Sequence, residues 1–234
     1  MKKQVFVVLD TETTKRNGMV FDAGWTTIDR SGKLYGKGSF LFKDILEQDN
    51  PFYRHKIASY WQMAWNRDIR PVKFKVFRKL FNLHLAYLRA QGLQPIVCAY
   101  NAAFDTRVLS LTSKTMTGKP FLNAPVLMLD IWDAWAKTCP KRYVAEVSPS
   151  GNIRTRAEDV FKFESNQPDF VEAHTGYEDT KIEAQILLKV LSRKRGKLPI
   201  VTHPKQFNAQ PWRTVQQRLA GRVEAIKAAQ LVAA

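Results

Sequence analysis

Three short stretches of this chain carry acidic side chains at spacings suited to holding hard metal ions. They are Asp10-Thr11-Glu12-Thr13-Thr14, Asn101-Ala102-Ala103-Phe104-Asp105 and His174-Thr175-Gly176-Tyr177-Glu178-Asp179. Asp10 and Glu12 follow an apolar run over 5–9 that reads as a buried strand, and residues two apart on a strand project from one face. Asp105 falls just inside a helix that follows a second apolar run. Asp179 heads a stripe of Ile182, Ile186 and Val190 at helical spacing, so it points inward. An inward carboxylate must be paired, protonated or bound to metal. Four that converge repel one another unless divalent cations with oxygen ligands lie between them. Two such ions, about 3.5–4 Å apart, can activate a water and stabilise the leaving oxygen of a phosphodiester. An imidazole with an unperturbed pKa of about 6.5 could take the proton from that water, and His174 stands one residue before the capping position Thr175. Glu178 reads as the partner of Thr175 in a capping box and Glu183 as part of a solvated face, so neither joins the set.

The elements that must position these groups follow from periodicity and turn chemistry. Strands are expected over 4–9, 19–28 and 33–42, the last two joined by the turn Asp29-Arg30-Ser31-Gly32. A helix is expected within 51–68, and a longer one from Pro71 to about Gln91, stopped by Gly92. A strand over 95–100 leads to a helix over 103–111, with Asn101 as its cap. A strand over 125–129 leads through Asp130 into a helix ending near Lys137. A loop or small hairpin over 139–152, a short helix over 156–163 and a long helix over 176–192 complete the body. After Gly196 come a Pro-containing linker and a helix over 211–232. Three strands in a row, then helices alternating with short strands, define an α/β class: a mixed sheet flanked by helices. The division expected is a catalytic domain over 1–195 and a basic C-terminal linker and helix over 196–234. Trp61 and Trp65, one helical turn apart, are expected to pack in the core rather than stack on bases.

Charge narrows the partners. Lys and Arg number 37 against 21 acids, a net charge of +16, which fits a polyanion and above all nucleic acid. From Lys189 onward the only acid is Glu224. Two cysteines, Cys98 and Cys139, are too few for a disulfide framework, and Cys98 reads as a buried free thiol. No apolar run is long enough to span a membrane. Asp10 interrupts the apolar start where a signal peptide would need small residues, so a cytoplasmic protein is expected. There is no phosphate-binding glycine loop, no nucleophile elbow and no zinc-ligand spacing.

The three stretches together resemble the DEDDh (DnaQ-like) 3′-to-5′ exonucleases of the ribonuclease H-like fold. Asp10-Thr11-Glu12-Thr13-Thr14 is similar to the family's first motif, Asn101 to Asp105 to its N-x-x-x-D motif, and His174 to Asp179 to its H-x-x-x-x-D motif. Met128-Leu129-Asp130 also resembles the family's strand ending in Asp. The likeness spans about 4–195, and the chain departs from it at Lys15-Arg16-Asn17, in the longer stretch 138–154 and in the basic tail. The resemblance implies three antiparallel strands leading into parallel ones, and two ions of Mg²⁺ or Mn²⁺. It implies that Asp10 bridges both ions, that Glu12 and Asp179 complete one site, and that Asp105 holds the second. His174 would be the general base. Main-chain groups near Thr11 and Thr13 would grip the terminal nucleotide, with Asn101 and Phe104 helping to position it. The implied activity is removal of nucleotides from single-stranded or frayed 3′ ends, of DNA first, with release of 5′-monophosphates. The other readings are an RNA-directed exonuclease of the same fold, a proofreading subunit bound to a polymerase through the C-terminal helix, and a non-catalytic nucleic-acid-binding module. The tail itself reads as a nucleic-acid arm, a partner-binding helix or a strap across the core.

Overall fold

The computed structural model describes residues 2–15, 18–46, 56–143, 147–148, 152–193, 197–222 and 224. Its first three strands are β1 (Lys3–Thr13), β2 (Val20–Ile28) and β3 (Leu34–Phe42), an antiparallel meander. The turn between β2 and β3 is the one expected. Asp29 Oδ1 accepts the N–H of Ser31 at 2.8 Å and of Lys33 at 3.1 Å, and Gly32 takes the left-handed φ of 83° that closes it. A short helix α1 (Lys43–Leu46) and helix α2 (Ile57–Trp65) follow. The start of the helix expected within 51–68 lies outside the described residues.

Pro71 does not open a helix. It lies in an edge strand, β4 (Arg70–Val72), parallel to β3, where a missing N–H costs no ladder bond. Helix α3 (Phe74–Ala90) starts three residues later, its Phe74 N–H held by the Asp44 carboxylate at 3.0 and 3.3 Å. Strand β5 (Leu93–Ala99) then runs parallel to β1. Helix α4 (Ala102–Thr117) outlasts its expected end at 111 and stops at Gly118, whose φ of 66° ends it. Strand β6 (Leu127–Asp130) is parallel to β5 and feeds α5 (Ile131–Thr138). Of the stretch 139–152, the described part includes one antiparallel bridge, Val147 to Ile153. Helices α6 (Ala157–Ser165) and α7 (Gly176–Ser192) follow.

Residues after 196 bring an unforeseen strand, β7 (Ile200–Val201), antiparallel to β6, then a 3₁₀ turn (Pro204–Gln206) and α8 (Pro211–Arg218). The helix expected over 211–232 thus ends at Arg218, with Leu219 as its C-cap, and the part of that span after 224 lies outside the described residues. The sheet order is β4-β3-β2-β1-β5-β6-β7. Antiparallel strands thus lead into parallel ones, the expected mixed sheet flanked by helices.

Both faces of the sheet are covered, so β1 reads as a continuous apolar run. Its side chains alternate between two cores. Val5, Val7 and Leu9 join Trp25, Phe77, Phe81 and Val108 under α3 and α4. Phe6 and Val8 join Ile182, Ile186, Leu187 and Trp135 under α5, α6 and α7. Val215 and Leu219 of the C-terminal segment are buried in that second core. Cys98 and Cys139 are buried free thiols. No helix of the described residues is long and apolar enough to cross a membrane.

Trp61 and Trp65 are not core residues. They are 41% and 86% exposed, because α2 turns Ile57, Tyr60 and Ala64 toward the sheet and leaves the tryptophans outside.

Candidate metal centre

Alternation along β1 decides where its acids point. Asp10 and Glu12 continue the Phe6 and Val8 face, toward α7, past the end of the hydrophobic core. In the pairing with β2, Asp10 stands opposite Gly24 and Glu12 opposite Asp22, with a bulge between Glu12 and Thr13. Bulges re-aim a strand where its ladder ends.

Helix α7 reaches these acids because two glycines let it lie against β2. A Cβ on Gly24 would fall 2.3 Å from Tyr177 Cα, and one on Gly176 would fall 2.8 Å from the Gly24 nitrogen. The hydroxyls of Thr26 and Thr180 bond across the same seam at 2.8 Å. The buried face of α7 carries Asp179 and Glu183, one turn apart, above Ile186 and Leu187. The Thr175/Glu178 capping box does not form. Thr175 is the N-cap by backbone only, its hydroxyl buried without a partner among the described residues, while Glu178 pairs with Lys181 at 2.6 Å.

Asp105, in the first turn of α4, comes from the opposite side of β1. Thr11 Oγ1 donates to Asp105 Oδ1 at 2.7 Å, which is where the Thr11 side chain is spent. Asp105 is 2% exposed, and its Oδ2 is buried with no hydrogen-bond partner among the described residues. Thr13 is buried at the bulge. Asn101 does not cap α4 with its side chain. It takes a left-handed conformation, φ 68°, which asparagine tolerates, and its carbonyl accepts the Phe104 N–H at 2.8 Å. The cap comes from Asp130 instead, which accepts the N–H of Ala102 and of Asp133, both at 3.1 Å. Phe104 is half-buried beneath the Arg107 guanidinium, 5.3 Å from its ring centroid. Asn101 also rims a cleft of about 780 Å³ walled by Tyr100, Trp132, Arg154, Arg156 and Trp212.

The acids stand close enough to perturb one another. Burial raises Asp10 well above the ordinary carboxylate range, and the fields of Glu183, Asp105, Asp179 and Glu12 push it further. Burial takes Asp105 up to about 7 against the lowering effect of Thr11. Asp179 rises to about 9, through burial and then the fields of Glu172 and Glu12. Glu183 is not on a solvated face: it is 2% exposed, accepts the Tyr100 N–H at 3.2 Å, and is raised by burial and then by Asp105 and Asp179. Its position, four residues after Asp179, was the signal, since i+4 continues the same buried stripe.

His174 sits with φ 53° between an extended segment and α7. One ring atom of His174 and one carboxylate oxygen each from Glu12 and Asp179 lie within 4.8 Å of one another. Its Nδ1 is 3.5 Å from Glu172 Oε2. Burial and the nearby Lys56 charge lower its pKa, so the ring is neutral at pH 7. The loop is held from below. Asp22 Oδ2 accepts the Gly176 N–H at 2.9 Å and the Tyr60 hydroxyl at 3.0 Å, and that hydroxyl also reaches the His174 carbonyl at 3.2 Å. Asp22, Tyr60 and Glu172 were missed by sequence. An acid inside an apolar strand marks Asp22, whereas nothing in spacing marks the other two.

The donor set suits hard divalent cations. All its ligand atoms other than the imidazole are carboxylate oxygens, raised by burial and then by one another's charge, and one of them is a buried orphan.

No protein-family model matches this chain, and no curated protein matches it. Among solved structures 31 chains match. One is Exonuclease X in complex with 5′ overhanging duplex DNA, 16% identical, covering 82% of this chain and 95% of that one with a TM-score of 0.48. A likeness at that identity and score says nothing about chemistry; the side chains of the centre do.

Proposed function

We propose that the protein is a metal-dependent 3′-to-5′ exonuclease of the DEDDh (DnaQ-like) type, acting on single-stranded or frayed 3′ ends of DNA and releasing 5′-monophosphates. The observation that carries this reading is the convergence of Asp10, Glu12, Asp105 and Asp179 from a strand and two helices, with the neutral His174 at their edge. The four carboxylates would hold two ions of Mg²⁺ or Mn²⁺, which when bound lower the pKa of water and offset charge on the leaving oxygen.

The chain's own residues do the rest. Glu172, beside Nδ1, favours the tautomer that leaves Nε2 of His174 to take the proton of the attacking water. Asp22 and Tyr60 fix the backbone that aims that ring. Main-chain groups near Thr11 and Thr13 close the end of β1 around the terminal nucleotide, and Asn101 and Phe104 border it. The strand beyond would meet aromatic and cationic surface: Trp61 and Trp65 on α2, and the cleft with Trp132, Arg154 and Trp212.

A 3′-labelled oligonucleotide tests this directly. Degradation with Mg²⁺ or Mn²⁺ should stop in excess EDTA and fall by at least about 10³-fold in Asp10→Ala and Asp179→Ala, with circular dichroism unchanged. Comparing single-stranded DNA, duplex DNA, single-stranded RNA and RNA–DNA hybrid sets the substrate. Activity that survives EDTA would end the metal mechanism, and faster loss of RNA than DNA would reassign the substrate.

A further inference from the structure

The cleft that Asn101 rims takes no part in the carboxylate chemistry, but it adjoins it. Tyr100, in its wall, donates its N–H to the buried Glu183 at 3.2 Å, and Asn101 stands four residues before Asp105. Arg154 enters the cleft from the long stretch before α6, and Trp212 from the C-terminal tail. Both segments are ones in which the chain departs from the family it resembles. At about 780 Å³ the cleft falls within the range, about 300–1,000 Å³, of pockets that bury a small organic ligand. Its wall is aromatic, and the polar edges of that wall are already engaged. Tyr100 and Trp132 stack with their planes 17° apart. The Tyr100 hydroxyl donates to the Thr155 carbonyl at 2.6 Å, and Trp132 Nε1 donates to Thr155 Oγ1 at 2.9 Å. Ring faces are what the wall offers a ligand, and every base has a π-face to meet them. Charge points the same way. Among the described residues lining the cleft the charged ones are Arg154 and Arg156. They share the Asp159 carboxylate at 3.9 and 3.0 Å, so the pair keeps a net positive charge. The Arg213 guanidinium, 5.3 Å from the Trp212 ring centroid, adds a third cation at that wall.

We propose that this cleft is a second nucleotide subsite: it takes an unpaired base of the strand, on the 5′ side of the nucleotide being removed, by stacking it against Trp212 and the Tyr100–Trp132 wall. The arginines hold positive charge beside the phosphates of that base. The inference rests on the exonuclease reading above and fixes the path of the strand from the metal centre toward the C-terminal segment.

Fluorescence anisotropy of a 5′-labelled oligothymidylate, with the full chain in EDTA, tests the cleft without reference to activity. An abasic strand of the same length and charge is the comparison. The wild type should bind the oligothymidylate at least about tenfold more tightly than the abasic strand, the size of effect that stacking gives per base. Trp212→Ala should lose most of that preference, and Trp212→Phe, which keeps a ring, should recover it. A tryptophan that served only to hold α8 in place would shift both strands equally. A Trp212→Ala variant that keeps the wild-type preference, or a wild type that does not distinguish the two strands, would overturn the subsite. If the preference follows Trp212 but no nucleic acid is hydrolysed with Mg²⁺ or Mn²⁺, the exonuclease reading falls instead, and the cleft stands as a binding site for single strands.

Discussion

His174 and Asp22 are two titratable groups tied to one another through a tyrosine, and they respond to pH in different ways. The imidazole pKa is lowered by burial and by Lys56, so its base form persists to below pH 6.5. As the general base proposed above, His174 would give kcat an acid limb below that value. His174→Ala should slow hydrolysis by about 10²–10⁴-fold and remove the limb, and an unchanged pH–rate profile would argue for a merely structural ring. Asp22 acts on stability. Burial raises it to about 7 in the folded chain against an ordinary 3.8, so the folded state keeps a proton that the unfolded state releases. That favours folding most at low pH, and the advantage is lost as pH climbs from 3.8 through about 7. Asp22→Asn should therefore melt with a flatter pH dependence than wild type across that window; parallel curves would place the titration elsewhere. At this scale the sequence was informative where acids interrupt apolar patterns. Asp10 and Asp179 stood out that way, and Glu183 could have, had its i+4 relation to Asp179 outweighed its charge. Tyr60 and Glu172 act through tertiary contacts that no local spacing encodes.

Among the elements, the seam between β2 and α7 does the most positioning. Gly24 and Gly176 bring backbone against backbone, and Thr26 bonds Thr180 beside them. Gly24→Ala has no room, because its methyl would overlap the Tyr177 Cα. It should cost about 1–3 kcal/mol in urea unfolding and displace Asp179, lowering activity more than stability alone would. Wild-type turnover in a folded Gly24→Ala variant would show that the seam tolerates movement. The meander, α3 and α7 were legible because periodicity and turn residues agreed over long stretches. β4 was not, since Pro71 suits a helix start as well as a sheet edge and only pairing with β3 decides. β7 is two residues long and exists through its pairing with β6. α2 was foreseen, but which of its faces turns outward depends on the sheet it packs against.

Over the whole molecule, the +16 charge sets how it meets a polyanion. Lys197, Lys205 and Arg213 are exposed on the C-terminal segment. Replacing all three with glutamine should flatten the slope of log affinity against log salt by about 0.7 for each phosphate of a single strand that is no longer neutralised. An unchanged slope would place the nucleic acid on another face. Deleting everything after Gly196 is a different experiment. It removes Val215 and Leu219 from the core, each worth up to about 1.5–3 kcal/mol.

The centre draws its acids from both ends of the chain, Asp10 on the first strand and Asp179 on a helix that begins at Gly176. Synthesis from the N-terminus delivers β1, with Asp10 and Glu12, long before α7 exists. On the function proposed above, a chain still being made holds only part of the metal centre and would be unable to cut nucleic acid. Cleavage would then wait for α7 to dock on β2 where Gly176 meets Gly24. On that function, the order of synthesis would delay hydrolysis until nearly the whole fold is in place.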